Sequence, residues 1–402
     1  MQTASPGTSQ PVYTLWQLVN YFLYLGYAGF GGPVALVGYM HRDLVEKRKW
    51  ISEDEYKEGM ALAQLSPGPM AAQLGIYLGF VHYGVLGATL AGIAFVLPSF
   101  LMVLVIGIAY KIYGGLPWMQ ALFYGVGACV IGIIALSAYK LTTKSVGKFT
   151  AEAFRKNAWL WVLYVGCFLV TVITRKEPVW LFIGAGIFYM LLKAPPRWLK
   201  RNTYAFAWVL LSPFIVWLEN PDRLWQLTWF FTKAGTFVFG SGLAIVPFLQ
   251  GVVTEYGWLS QKEFLDAVAV AMITPGPVVI TVGFIGYLAA GVTGACIASL
   301  ATFLPCYLLT VIPAPYFKKY AKDTSIKAFV DGITAAVIGA LSGAVIVIAI
   351  NTFTQNQTVN VDVPSVLIAV ATIVALLKVK KISEPILIVI AAGLGLVLKL
   401  VL

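Results

Sequence analysis

The chain is 402 residues long, 59% hydrophobic and only 11% charged, where a soluble domain carries about 25% charged residues. Its mean hydropathy is +0.84, and apolar runs of about 20 residues, enough to cross a bilayer's hydrocarbon, recur along it. A soluble enzyme and a separate soluble domain are thereby excluded, and the chain reads as an all-α polytopic integral membrane protein. The net charge of +11 reads as positive-inside bias and headgroup contact with the lipid bilayer; a pull on anionic substrates is its other reading. Nucleic acid is not expected as a partner, because no basic face with interleaved aromatics lies outside the loops.

In chain order, the first eleven residues form a polar, uncharged tail without the basic region of a signal peptide. An apolar run over 12–37 is broken at Gly29-Phe30-Gly31-Gly32-Pro33, and His41 and Arg42 lie at its end. Next come Trp50-Ile51-Ser52, Glu55 and Glu58, then Gln64-Leu65-Ser66-Pro67-Gly68-Pro69 and Gln73, then Leu97-Pro98. All of this recurs in the second half. Val238-Phe239-Gly240-Ser241-Gly242 answers the first break, and Trp258-Leu259-Ser260, Glu263 and Asp266 answer the next stretch. Met272-Ile273-Thr274-Pro275-Gly276-Pro277 answers the Pro-Gly-Pro motif, and Leu304-Pro305 the last mark. The stretch 79–98 matches 286–305 without a gap, Val130-Ile131-Gly132 matches Val337-Ile338-Gly339, and Glu177-Pro178 matches Glu384-Pro385. The duplication predicts repeats over 13–192 and 225–399, joined by a linker 193–224 with one more apolar run, 204–218.

Loop charges orient the copies. The first repeat is basic at Arg42, Lys47, Arg48 and Lys49, at Lys140 to Lys156, and at Lys193 to Arg201. The second is poor in Lys and Arg at those places and basic in the alternate loops, at Lys318, Lys319, Lys322 and Lys327 and at Lys378, Lys380 and Lys381. Under the positive-inside rule the halves are upside down relative to each other, an inverted-topology repeat of about ten spans plus broken pieces. With 42–57 cytoplasmic and 111–117 outside, the stretch between crosses an odd number of times. The simplest arrangement is a re-entrant helical hairpin at Pro67–Pro69 followed by one crossing; the alternative is one kinked span over 60–81. Either 12–37 crosses and 204–218 does not, or the reverse.

Helix breakers in lipid leave backbone groups that only protein or a watery cavity can satisfy. Paired broken segments in two halves mark a transporter's binding site at the repeat interface. Pro69 and Pro277 suit first helical turns, Gly68 and Gly276 permit tight geometry, and Ser66 reads as an N-cap. Two outgoing helices would aim free N–H groups at a small dianion. The expected substrate-binding set is therefore Gly31, Gly32, Pro33, Gln64, Ser66, Pro67, Gly68, Pro69 and Gln73 with Gly240, Ser241, Gly242, Thr274, Pro275, Gly276 and Pro277. Lys233, a charge inside an apolar run, is the expected charge partner; snorkelling to an interface is its other reading. Arg42, Glu58, Asp266 and Asp331 are candidate gating or proton-linked residues, each also readable as an ordinary helix-end or loop charge. Cys129, Cys167, Cys296 and Cys306 read as small buried hydrophobes, with no metal or thiol site among them. No cofactor is expected. That weighs against a membrane-embedded reductase, and no Ser/His/Asp cluster supports a transferase.

The set Phe30-Gly31-Gly32-Pro33, Trp50, Glu53 to Tyr56, Ala63 to Pro69, Gly84, Gly87 and Leu97-Pro98-Ser99-Phe100, with a degenerate second copy, resembles the chromate transporter family. The resemblance covers nearly the whole chain and implies the long form made by duplication and fusion. It implies efflux of chromate across the bacterial cytoplasmic membrane, with sulfate as analogue and competitor. Another tetrahedral oxyanion, sulfate first, is the nearest rival substrate. The second copy departs from the pattern at Ser241-Gly242 and at Met272, so the two half-sites are expected to differ. A homodimer is an assembly the reading allows.

Overall fold

The computed structural model describes residues 12–30, 32–175, 179–195, 222–240, 242, 245–317, 323–354, 361–379 and 382–400. Gly31, Ser241 and the 204–218 run lie outside them. The first repeat supplies α1 (Leu15–Ala28), α2 (Gly32–Met40, continuing as a π-helix His41–Lys47), α3 (Glu53–Leu65), α4 (Met70–Tyr113), α5 (Pro117–Ser145), α6 (Ala151–Lys156), α7 (Ala158–Thr174) and α8 (Val179–Lys193). The second supplies α9 (Arg223–Thr236), α10 (Ile245–Leu249), α11 (Gly251–Thr254), α12 (Gln261–Ile273), α13 (Thr281–Val311), α14 (Thr324–Phe353), α15 (Val363–Lys378) and α16 (Glu384–Leu400). Two-residue strands, β1 (Gly68–Pro69) and β2 (Phe239–Gly240), pair in parallel.

The repeated Ser-x-x-Glu is a repeated helix start. Ser52 and Ser260 each accept the N–H three residues on at 3.2 Å, while Glu55 and Glu263 accept the serine's own N–H at 2.8 Å. This capping box fixes where α3 and α12 begin. Between break and tryptophan the first repeat is one residue longer, and its π-helix, absent at α10 and α11, takes up the extra residue.

The 60–81 segment is a hairpin, not one kinked span. A Cβ on Gly59 would lie 2.4 Å from the Tyr77 ring and 3.1 Å from Leu74, so the arms before and after Pro67–Pro69 lie side by side. α4 reverses again at Gly84 (φ 56°, ψ −147°), and α13 does the same at Gly291 (φ 66°, ψ −156°). Only glycine adopts that backbone readily. Below each turn the arms touch: a Cβ on Gly79 or Gly286 would sit 2.4 Å from the Gly87 or Gly294 carbonyl oxygen.

The long arms of α4 and α13 run antiparallel. Thr89, early in its arm, meets the Tyr307 hydroxyl, late in the other, at 2.7 Å. Gly107 faces Phe284 and Tyr287, and Gly283 faces Phe100. The next helices are exchanged: α5 packs on α15 and α16, and α14 packs on α7 and α8. Glycine makes both approaches possible. A Cβ on Gly125 would lie 1.9 Å from the Ala391 carbonyl oxygen, and on Gly132 2.6 Å from that of Ala369. The counterparts Gly332 and Gly339 meet Ala185 and Tyr164 carbonyls at 2.7 and 2.2 Å. In lipid, where apolar burial gives little drive, such close contact holds helices together.

By length and composition, four of the described helices suffice to cross a membrane: Met70–Tyr113, Pro117–Ser145, Val278–Tyr316 and Thr324–Phe353. Shorter apolar helices accompany them at Ala158–Thr174, Trp180–Lys193 and Val363–Lys378. Three cysteines are buried as expected, but Cys296 is exposed on α13. It lines an apolar groove where α13 meets α4, beside Ser299, Leu300 and Phe303.

Candidate functional site

Each Pro-Gly-Pro tip is held by the other repeat. Gly68 N–H donates to the Val238 carbonyl at 2.5 Å, and Gly276 N–H donates to the Gly29 carbonyl at 2.9 Å. Gly29 and Val238 open the two glycine-rich breaks, so the two bonds are related by the duplication. Both glycines need a positive φ, +141° at Gly68 and +95° at Gly276. Beneath the tips lie matched residues of the opposite repeat: Cys306 packs against Gly68, and Ser99 against Gly276. Ser99 Oγ donates to the Gly26 carbonyl at 3.2 Å.

Ser66 and Thr274 are not N-caps. Each ends the incoming helix as its C-cap in extended backbone (ψ 140° and 134°). The two intervening residues carry the chain round the tip, and Pro69 and Pro277 precede the outgoing helices. Ser66 Oγ donates to the Leu309 carbonyl at 3.2 Å, across the repeat boundary, while Thr274 Oγ1 turns back to Val270 at 2.6 Å. Neither outgoing helix has a side-chain cap. No side chain among the described residues therefore competes for the first-turn N–H groups there.

The two tips differ chemically. Gln73, fully buried, donates Nε2 to the Pro67 carbonyl at 2.8 Å, and its Oε1 has no partner among the described residues. Its counterpart Thr281 donates to Val278 at 2.7 Å. Gln64 is exposed, whereas its counterpart Met272 is buried. Gly242 is buried against Val278 of the second tip, and Gly32 (φ +72°) faces open space beside Pro33. Pro67 is half-buried and Pro69, Pro275 and Pro277 are buried. Gly240 pairs with Pro69 through β2. The tips and the breaks are thus brought together.

The charged candidates scatter. Lys233 stacks on Trp229 of its own helix, 5.7 Å from the ring centre. Arg42 pairs with Asp43 at 3.0 Å and covers the Tyr39 ring. Asp331 is exposed. Glu58 is half-buried and hydrogen-bonds Tyr77 in its own hairpin. Asp266 differs: it is 1% exposed, not a solvated first-turn residue, and accepts the Tyr110 hydroxyl at 2.6 Å from the other repeat. Sequence reasoning missed Tyr110, Ser99 and Cys306, although the last two hold matched places after Leu-Pro.

At the start of α3, His41 meets Glu53 at 2.9 Å. The His41 imidazole and Lys57 hold the Glu53 carboxyl below the usual carboxylate range. In the second repeat the corresponding contact is uncharged, Gln250 Nε2 donating to Gln261 Oε1 at 2.7 Å.

Two interlocked repeats, each ending a broken helix on the other's backbone inside an apolar helical body, define a multi-pass membrane transporter rather than an enzyme. The chromate transporter family profile matches residues 16–190 and 225–396. The chain is 62% identical over 391 residues to a chromate transport protein of Cupriavidus metallidurans, covering 96% of this chain and 94% of that one. It is 56% identical over 394 residues to a probable chromate transport protein of Synechococcus elongatus, covering 96% of each. A chromate transport protein of Pseudomonas aeruginosa is 29% identical over 83% of this chain and 80% of its own length. No solved structure matches. This chain belongs to the chromate transporter family.

Proposed function

We propose that this protein exports chromate across the bacterial cytoplasmic membrane by alternating access, with sulfate competing for the same site. The observation that carries the reading is the crossed pair of tips, Gly68 on Val238 and Gly276 on Gly29. Two helix starts without side-chain caps face the repeat interface, where a tetrahedral dianion can be held by N–H groups without a buried arginine. The units 13–192 and 225–399 act as inverted halves; the antiparallel long arms of α4 and α13 support that inversion. Rocking one half against the other moves both tips together, because each is bonded to the opposite half. The membrane potential suffices as driving force. Moving one charge is worth about 2.3 kcal/mol per 100 mV, so a dianion leaving an inside-negative cell gains roughly 4.6 kcal/mol. That is about three decades in concentration.

The test is uptake of radiolabelled chromate into everted vesicles under an interior-positive potential, with and without excess sulfate. Accumulation that sulfate suppresses and that Gly68→Val with Gly276→Val abolishes is expected. Folded protein that accumulates no chromate above empty membranes would overturn the reading.

A further inference from the structure

A cavity of about 710 Å³ opens at one end of the molecule, and its wall includes Gln120, Tyr124, Lys262, Asp266, Asp362 and Lys399. It gathers the start of α5, the start of α12, the end of α14, the start of α15 and the end of α16. The basic segment 140–156 follows the opposite end of α5. On the positive-inside rule the cavity therefore faces the outside.

That placement makes its two lysines informative. Lysine is disfavoured in short loops on the outer face, yet Lys262 and Lys399 both line this one cavity. Neither is inherited from the duplication: the matched residues of the first repeat are Asp54 and Leu192. Neither forms an ion pair among the described residues. The neighbouring Glu263 is engaged in the α12 capping box. Lys399 is held 4.6 Å above the Tyr124 ring, and the Tyr124 hydroxyl donates to Asp362 at 2.7 Å. The second ammonium group is thus positioned by residues of both repeats.

We infer that this outer cavity is a release site, in which Lys262 and Lys399 receive a tetrahedral dianion after it leaves the Pro-Gly-Pro tips. The inference rests on the export reading. α12 joins the two places: from Asp266 on the cavity wall to Thr274 at the tip is about 12 Å along the helix. Asp266 and Asp362 on the same wall oppose the two cations and keep the site weak, as a path must bind well enough to fill and weakly enough to empty.

Amine acylation of the purified protein, read by mass spectrometry with chromate or sulfate present, tests the site without transport. Both anions should slow modification of Lys262 and Lys399 but not of Lys111, which lies outside the cavity. Equal rates with and without anion at both lysines overturn the proposal. In everted vesicles the cavity faces the lumen, so luminal sulfate should inhibit chromate uptake. Lys262→Gln with Lys399→Gln leaves only the two aspartates on the wall and should raise the luminal sulfate needed by about tenfold or more, the scale of electrostatic focusing in a cleft. An unchanged luminal inhibition curve in a transporting double variant also overturns it. Protection of both lysines in a protein that moves no chromate would leave the site standing and strike the export reading instead.

Discussion

The Gly68 amide and the Val238 carbonyl are 2.5 Å apart, and each belongs to a different repeat. The same bond, made by Gly276 to Gly29 at 2.9 Å, closes the second half of an exchanged pair. A tip bonded only within its own repeat would travel with it. A tip bonded to the other repeat registers every displacement between the halves.

The two tips should not tolerate a methyl group equally. In Gly276→Ala the new Cβ would lie 1.9 Å from Ser99 Oγ, with Gly26 O at 3.1 Å. In Gly68→Ala the nearest atom, at 2.7 Å, is Nε2 at the far end of Gln73. Both also incur backbone strain of about 1–3 kcal/mol at a φ that side chains rarely adopt. Gly276→Ala should therefore lower chromate uptake and melting temperature more, and Ser99→Ala should restore part of the loss. A milder Gly276→Ala, or no restoration, would refute the close contact.

Asp266 and Tyr110 should behave as a coupled pair across the repeat boundary. Tyr110→Phe leaves a buried carboxylate without its donor, at a cost of about 1–3 kcal/mol or more. Against an Asp266→Asn background the same change should cost less, giving a coupling energy of about 0.5–3 kcal/mol in a double-mutant cycle on thermal stability. Additive effects would mean that the 2.6 Å contact contributes nothing.

Much of this arrangement was legible in the sequence. The hairpin at Pro67–Pro69 followed from loop charge and crossing parity; Ser52, Glu55, Ser260 and Glu263 were read only as matched marks of the duplication, not as the capping boxes they form. The exchange was not legible, because a glycine motif shows that backbones approach closely but not which backbone arrives. Gly125 and Gly332 signal contact; Ala391 and Ala185 as the partners are decided by tertiary packing. Ser66 was misread for a related reason: the two residues between it and Pro69 form the turn itself, so the serine closes one helix instead of opening the next. Asp266 looked like a solvated first-turn acid because its donor lies 156 positions away in sequence.

The inversion of the repeats has a direct readout. Asp54 and Lys262 are exposed and occupy equivalent positions, two residues after their capping serines. With Cys296 replaced by alanine, Asp54→Cys should react with an impermeant maleimide only in everted vesicles and Lys262→Cys only in intact cells. Labelling of both from one face would rule out inverted halves.

The helix-start contacts should differ in their response to acid. Glu53 is held below its ordinary pKa by His41 and Lys57. A carboxylate with a depressed folded-state pKa contributes stability above its unfolded value and loses it as pH falls through the folded one. His41→Gln with Glu53→Gln copies the Gln250–Gln261 pair of the other repeat. The double variant should flatten the fall in melting temperature below the ordinary carboxylate range and leave neutral-pH stability little changed. An unaltered acid limb would show that the contact is idle.

The exchanged helices give the sharpest contrast. A Cβ on Gly125 would sit 1.9 Å from the Ala391 carbonyl oxygen, whereas one on Gly166 would meet nothing within 4 Å. A backbone carbonyl inside a helix cannot swing aside as a side chain can, so Gly125→Ala must push α5 and α16 apart. Overpacking of this kind costs about 1–3 kcal/mol, and the lost close approach adds to it. Gly166→Ala should instead gain up to about 1 kcal/mol of helix propensity. Gly332→Ala, whose Cβ would lie 2.7 Å from the Ala185 carbonyl oxygen, should fall between them. The order of melting temperatures in detergent, Gly166→Ala highest and Gly125→Ala lowest, checks the packing. Equal values for Gly125→Ala and Gly166→Ala would mean that α5 does not lie on α16.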